Sequence, residues 1–168
     1  MLHRVLVAVL RQAFERSATT DMHSPALSDE QAVTTLTCGS TKSWLMDSQI
    51  LCYRCTETTR SAVDVCVNDF RAELQAWESG LPLRLLLDLR GENAIVSAYA
   101  LHRCRELTRL RPDITGKVAV IAANTLNAQI VAMALRGLPN EYRRRLVFTN
   151  EPEAVAWLLQ EDKISFRV

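Results

Sequence analysis

Residues 83–110 read LRLLLDLRGENAIVSAYALHRCRELTRL, and this stretch decides the fold. Leu83 to Leu89 is a nearly continuous apolar run, the pattern of a strand buried on both faces, as in a parallel sheet. Asp88, Arg90 and Gly91 then break the run with charge and a glycine. From Ala100 onward the apolar positions Ala100, Leu101, Cys104, Leu107 and Leu110 follow a helical period that stops at Pro112. The junction from Leu89 to Val96 therefore lies beyond the carboxyl end of a central strand, where open α/β sheets hold their ligands.

The flanking sequence repeats the same alternation. Upstream, the β-prone runs Trp44 to Met46 and Ile50 to Thr56 are separated by Asp47-Ser48-Gln49, which reads as a hairpin. A helix follows, opened by a capping-box-like Ser61 and Asp64, striped by Val63, Cys66, Val67, Phe70, Leu74 and Trp77, and stopped at Gly80 and Pro82. Downstream, Lys117 to Ala123 is a second buried strand, and Thr125 is placed to cap a helix from Leu126 to Arg136. Leu146 to Thr149 is the last strand. Asn150 with Glu153 opens a final helix that turns Ala154, Val155, Leu158 and Leu159 inward.

Right-handed crossovers make this an α/β domain, a mostly parallel or mixed sheet of about five strands with about four helices. The domain is expected over residues 43–168, and residues 1–42 are expected to form a leader. Within the leader, Met1 to Arg16 sets Leu2, Val5, Leu6, Val9 and Leu10 among Arg4, Arg11 and Arg16, a basic amphipathic helix pattern. A signal peptide, a docking helix and residues upstream of a start at Met22 all remain open for it. Thr19 to Lys42 is rich in Ser, Thr and Asp and reads as a linker.

A chain of 168 residues carries one core, and its net charge of +1 gives no global field for nucleic acid, so none is expected as a partner. No apolar run approaches the roughly 20 residues that span a bilayer. The five cysteines are an odd number and mostly sit in apolar periodic segments, which predicts free thiols in a reducing, cytoplasmic compartment. Cys52 and Cys55 have the spacing of a redox or zinc motif but fall in the strand-like run ILCYRC, so they are expected to be unpaired and metal-free.

Dinucleotide, P-loop and zincin motifs do not occur. Asp88 at a strand end suggests a phosphatase nucleophile, but Arg90 stands where such an enzyme needs its second acid. His102 falls on a polar helix face. Arg103, Arg105, Arg109, Arg111 and the run Arg143 to Arg145 read chiefly as solvated faces. The expectation is a binding module, with no enzymatic activity and no cofactor.

The order hairpin, helix, strand, helix, strand, helix, strand, helix, with LLLDLRG leading into a helix and VFTNEPEAVAWLL at the end, resembles the STAS domains of the anti-sigma-factor antagonist (SpoIIAA-like) type. The likeness covers about Ser43 to Gln160. It implies a regulatory module that binds a protein, for that family often a kinase-type anti-sigma factor, and that is switched by phosphorylation of a serine at the helix start after the central strand. Asp88 and Gly91 match the strand-end aspartate and loop glycine of that pattern. Ser97 falls on the first serine of the family's Asp-Ser-Ser, while Ala98 stands at the position usually phosphorylated, a departure from the pattern. The partner surface implied is Arg90, Ile95, Val96, Ser97, Tyr99 and Arg103. From the residues alone Ser97 reads either as an ordinary helix cap or as a regulated serine, since a helix start favours a phosphate. A second reading is a carrier or sensor of a small apolar or nucleotide ligand, held beyond the strand ends in a mostly apolar pocket.

Overall fold

The computed structural model describes residues 32–138 and 142–161. Along the chain run β1 (Thr34–Thr35), β2 (Thr41–Leu45), β3 (Ile50–Arg54), α1 (Arg60–Ala76), β4 (Leu83–Leu89), α2 (Ala98–Thr108), β5 (Gly116–Ala122), α3 (Thr125–Arg136), β6 (Arg143–Phe148) and α4 (Glu151–Leu159). The strands form a six-stranded sheet in sequential order. β1, β2 and β3 pair antiparallel, and β3 through β6 pair parallel, with Leu51 opposite Leu85 and Leu85 opposite Val118. This is the expected α/β fold, with a mixed sheet.

The sheet starts earlier than Ser43. β1 and the first residues of β2 are threonine-rich, and Thr34 and Thr35 lie exposed at the edge. Such residues pair through the backbone without an apolar alternation, so hydrophobic periodicity does not reveal them. The amphipathic pattern of Met1 to Arg16 lies outside the described residues.

The two faces of the sheet are covered unequally. On one face Leu51, Tyr53, Leu85, Val118 and Val120 pack against Val63, Val67, Phe70 and Leu74 of α1, with Leu107 of α2 and Val131 of α3. On the other, Ile50, Cys52, Leu86, Ala119 and Ile121 meet α4 alone among the described residues, through Ala154, Trp157 and Leu158. Three helices thus share one face and a helix of nine residues covers the centre of the other. The α1 side is densely anchored, with five buried residues on the helix, whereas α2 and α3 bury only Leu107 and Val131.

Helix starts follow capping chemistry, at some positions shifted from expectation. Thr59, not Ser61, caps α1 by accepting from Ala62 N–H, and Asn124, not Thr125, caps α3 by accepting from Asn127 N–H. In both cases the residue just before the helix has the extended backbone that lets its side chain reach back. Asn150 caps α4 as its spacing predicts. α1 ends at Ala76, before Gly80, because Trp77 turns extended while its N–H still bonds Leu74 carbonyl. Two arginines of the supposed solvated faces finish helix ends instead. Buried Arg143 donates to the carbonyls of Leu107, Leu110, Arg111 and Ile114, and Arg111 donates to those of Leu74, Gln75 and Trp77. Orphan carbonyls at a helix end attract such donors. Among the described residues no helix is long and apolar enough to cross a membrane.

Candidate functional site

Parallel strands β3 and β4 end side by side, Arg54 opposite Asp88, and the chain leaves both toward the same edge. Here Arg54 donates to Asp88 and, through both terminal nitrogens, to Glu151 at the start of α4. Arg90 donates to both oxygens of Asp88 and to Glu151. Asp88 also accepts from its neighbour Arg90 N–H at 3.1 Å. Burial opposes the charge of Asp88, yet the bonds from Arg90 and Arg54 outweigh it and hold its carboxyl below the usual range. Glu151 is also held low, chiefly by its bonds from Arg54. Two cations and two anions satisfy one another and tie β3, β4 and α4 together. The bidentate contact of Arg54 with Glu151 has the planar fork that suits such a pair. Asp88 thus serves the architecture of the strand ends.

Gly91 follows directly. A Cβ there would meet the carbonyl oxygen of Cys55 at 2.4 Å and that of Thr56 at 2.8 Å, so only glycine lets this loop lie against the segment after β3. The two segments pair as an isolated bridge, Glu57 with Asn93, and Thr58 hydroxyl both accepts from Ile95 N–H at 2.8 Å and donates to Ile95 carbonyl. The junction is a rigid shelf. Of the residues expected on it, Ile95 stands 73% exposed, while Val96 and Tyr99 pack partly against the core. Tyr99 hydroxyl donates to Asp64, and Arg60 lies 5.4 Å from its ring centre. Ser97 accepts from Ala100 N–H at 3.1 Å, the geometry of a cap. Arg103 turns inward to Asp64, Glu106 and Asn68, and so braces α2 against α1. The structure brings Asp88, Arg90 and Gly91 together at the strand ends, and places Ser97, Tyr99 and Arg103 along the α1–α2 seam.

A cavity of about 180 Å³ runs under this shelf between the sheet and α1, α2 and α3. Its walls are leucine, valine, alanine and cysteine, including Leu85, Val120, Val67, Ala100, Leu101 and Leu135. Cys55, Glu57, Thr58 and Val96 contribute at the carboxyl ends of the strands, and Leu138 and Arg143 at the opposite end. The cause is local: α2 and α3 each commit a single fully buried side chain, and α3 leaves Leu126, Ile130 and Met133 exposed. A void of this size is large for a close-packed interior.

No family model, curated protein or solved structure matches this chain. The site therefore stands on its own geometry.

Sequence reasoning missed Arg54 and Glu151, and it placed an apolar pocket beyond the strand ends without showing that the cavity extends between the sheet and α1, α2 and α3. Glu151 is separated from Arg54 by 97 positions, and no periodicity announces such a pair. The weak stripe of the segment 98–108 was the available signal for loose packing, because polar residues interrupt its apolar positions. Cys52 is buried under α4 with its thiol pushed up to about 11 by burial, and Cys55 follows β3 on the opposite side, so the two are free cysteines, as their strand placement predicts. Among the described residues no cluster of His, Cys, Asp and Glu has an arrangement that could hold a metal ion.

Proposed function

We propose that this protein is a non-enzymatic binding module that holds a small apolar ligand between its sheet and helices α2 and α3. The observation that carries this reading is the cavity of about 180 Å³ with almost wholly apolar walls. Apolar walls without partner atoms forgo dispersion contacts, which an uncharged occupant of matching shape restores. An apolar void of comparable size is known to stay dry and take a benzene-sized guest. The ionic network at the strand ends is self-satisfied and supplies no free group for an ionic ligand, which favours an uncharged guest.

The test is thermal unfolding of the full chain with toluene, indole or glycerol. Toluene or indole at saturating concentration is expected to raise the midpoint, by the equivalent of about 2.7 kcal/mol at a hundredfold excess over Kd. Glycerol at the same concentration should give no comparable shift. Ala100→Phe, which fills the cavity from α2, should abolish the shift while keeping the fold. No shift with either apolar probe would defeat the reading.

A second reading has its own support in exposed Ile95 on the pinned shelf: a STAS-like regulatory module that docks a protein, of the kinase-type anti-sigma class, at residues 90–103. Rigid loops presenting an apolar tip are common recognition elements. Affinity for such a partner should fall by more than about 1 kcal/mol in Ile95→Asp and in Ser97→Glu. Equal affinity for wild type and both variants rejects it.

A further inference from the structure

Three thiols meet beside the cavity although they come from three distant segments. Cys38 sits in the turn between β1 and β2, Cys55 follows β3, and Cys66 lies in α1. The Sγ atoms of Cys38 and Cys66 are 3.9 Å apart. Cys55 stands beside Cys66 on the wall of the cavity. Ser40 is fully buried close to Cys66, and its hydroxyl makes no hydrogen bond among the described residues. A buried hydroxyl without a partner is costly, and a thiolate on Cys66 would supply one. Geometry of this kind marks a nucleophile with its resolving partner at hand.

We propose that Cys66 is a hydroperoxide-oxidisable thiol that closes onto Cys38 as a reversible disulfide, clasping the β1–β2 turn to α1. In the first step the Cys66 thiolate attacks one peroxide oxygen: an S–O bond forms, the O–O bond breaks, and the departing hydroxide takes a proton to become water. Cys66 is then a sulfenic acid, oxidised by two electrons. In the second step Cys38 sulfur attacks Cys66 sulfur: the S–S bond forms, the S–O bond breaks, and hydroxide leaves with the Cys38 proton as a second water. Two thiols and one hydroperoxide thus give one disulfide, with two waters when the oxidant is hydrogen peroxide.

The division of labour follows from the surroundings. The polar neighbours Cys55, Ser40 and Cys38 draw the Cys66 thiol below its ordinary value against the opposing pull of burial and of Asp69. Cys55, next to Cys66 and itself buried, is pushed well above the ordinary range and keeps its proton. That leaves Cys38, half-buried in a turn, as the thiol able to attack. Closing the disulfide shortens the sulfur separation from 3.9 Å to a bond length of about 2.05 Å.

The experiment treats the reduced full chain with hydrogen peroxide, blocks remaining thiols by alkylation and maps tryptic peptides. Cleavage after Lys42, Arg54, Arg60 and Arg71 places Cys38, Cys52, Cys55 and Cys66 on four separate peptides. The expected product is a mass loss of two hydrogens and a linked pair of the Cys38 and Cys66 peptides, reversed by dithiothreitol. Cys38→Ser should instead leave a sulfenic acid on Cys66 that dimedone labels, and Cys104→Ser should behave as wild type. A wild-type chain that stays fully reduced, or one that links Cys55 to either neighbour in place of Cys38 to Cys66, overturns the proposal. The wild-type map decides even if a variant fails to fold.

Discussion

At the scale of single residues, the arginines teach most. Arg103, Arg111 and Arg143 sit in basic stretches that read as solvated faces, yet each is turned inward. Arg143 is buried, and its guanidinium is met by four carbonyls at the end of α2 and the loop after it. Five donors in a rigid fork suit that task, which lysine cannot match. Arg143→Ala removes hydrogen bonds to a charged group, each worth about 1.5–3 kcal/mol net, and with water replacing part of them a loss of at least about 3 kcal/mol is expected in urea unfolding. Arg144→Ala, one position along on an exposed face, should cost less, because its side chain is not buried among backbone carbonyls. Equal losses would show that Arg143 holds nothing. Sequence alone does not separate these neighbours, because alternation in a strand fixes opposite faces but not which face a helix end will approach.

At the scale of elements, hydrophobic periodicity was a reliable guide wherever a segment buries one continuous stripe. β4 and β5, α1 and α4 stand where their apolar patterns place them, and Asn150 caps α4 as predicted. Legibility failed where the backbone or a distant charge decides. β1 pairs through exposed threonines, and the caps Thr59 and Asn124 lie one or two positions before the expected residues. At the site, Asp88 and Gly91 were legible as strand-end and loop residues, whereas Arg54 and Glu151 join them only through tertiary contact. α4 illustrates how much rests on one short element: Trp157 packs against Phe148 at 5.7 Å between ring centres and beneath the Lys117 ammonium. Trp157→Ala should destabilise the protein by about 3–5 kcal/mol and expose the second face of the sheet, read as increased binding of an apolar dye. Trp77→Ala, by contrast, removes a ring stacked on Trp44 in a partly exposed position and should cost less. A smaller loss for Trp157 than for Trp77 would mean that α4 is dispensable.

For the whole molecule, the four-charge network at the strand ends couples stability to pH. Asp88 and Glu151 both titrate below their ordinary values in the folded chain, so folding keeps them deprotonated where the unfolded chain begins to bind protons. Their contribution is complete above the unfolded carboxylate range, about pH 4–5, and is lost as pH falls through the lower folded values. The stability gap between wild type and Glu151→Gln in urea should therefore be widest at neutral pH and shrink as pH drops toward about 3. A gap that is independent of pH would show that the Arg54–Glu151 contact carries no electrostatic weight.

The one-sided cover of the sheet also has a consequence in time. α4 follows every described strand, so among the described residues nothing covers Ile50, Cys52, Leu86, Ala119 and Ile121 until residues 151–159 have been synthesised. At about 5–20 residues per second, the stretch between β3 and α4 takes roughly 5–20 s to emerge. During that interval the nascent chain exposes an apolar sheet face to water. Each molecule therefore passes through a sticky adolescence at the ribosome, and its yield depends on what shields that face before the last helix arrives.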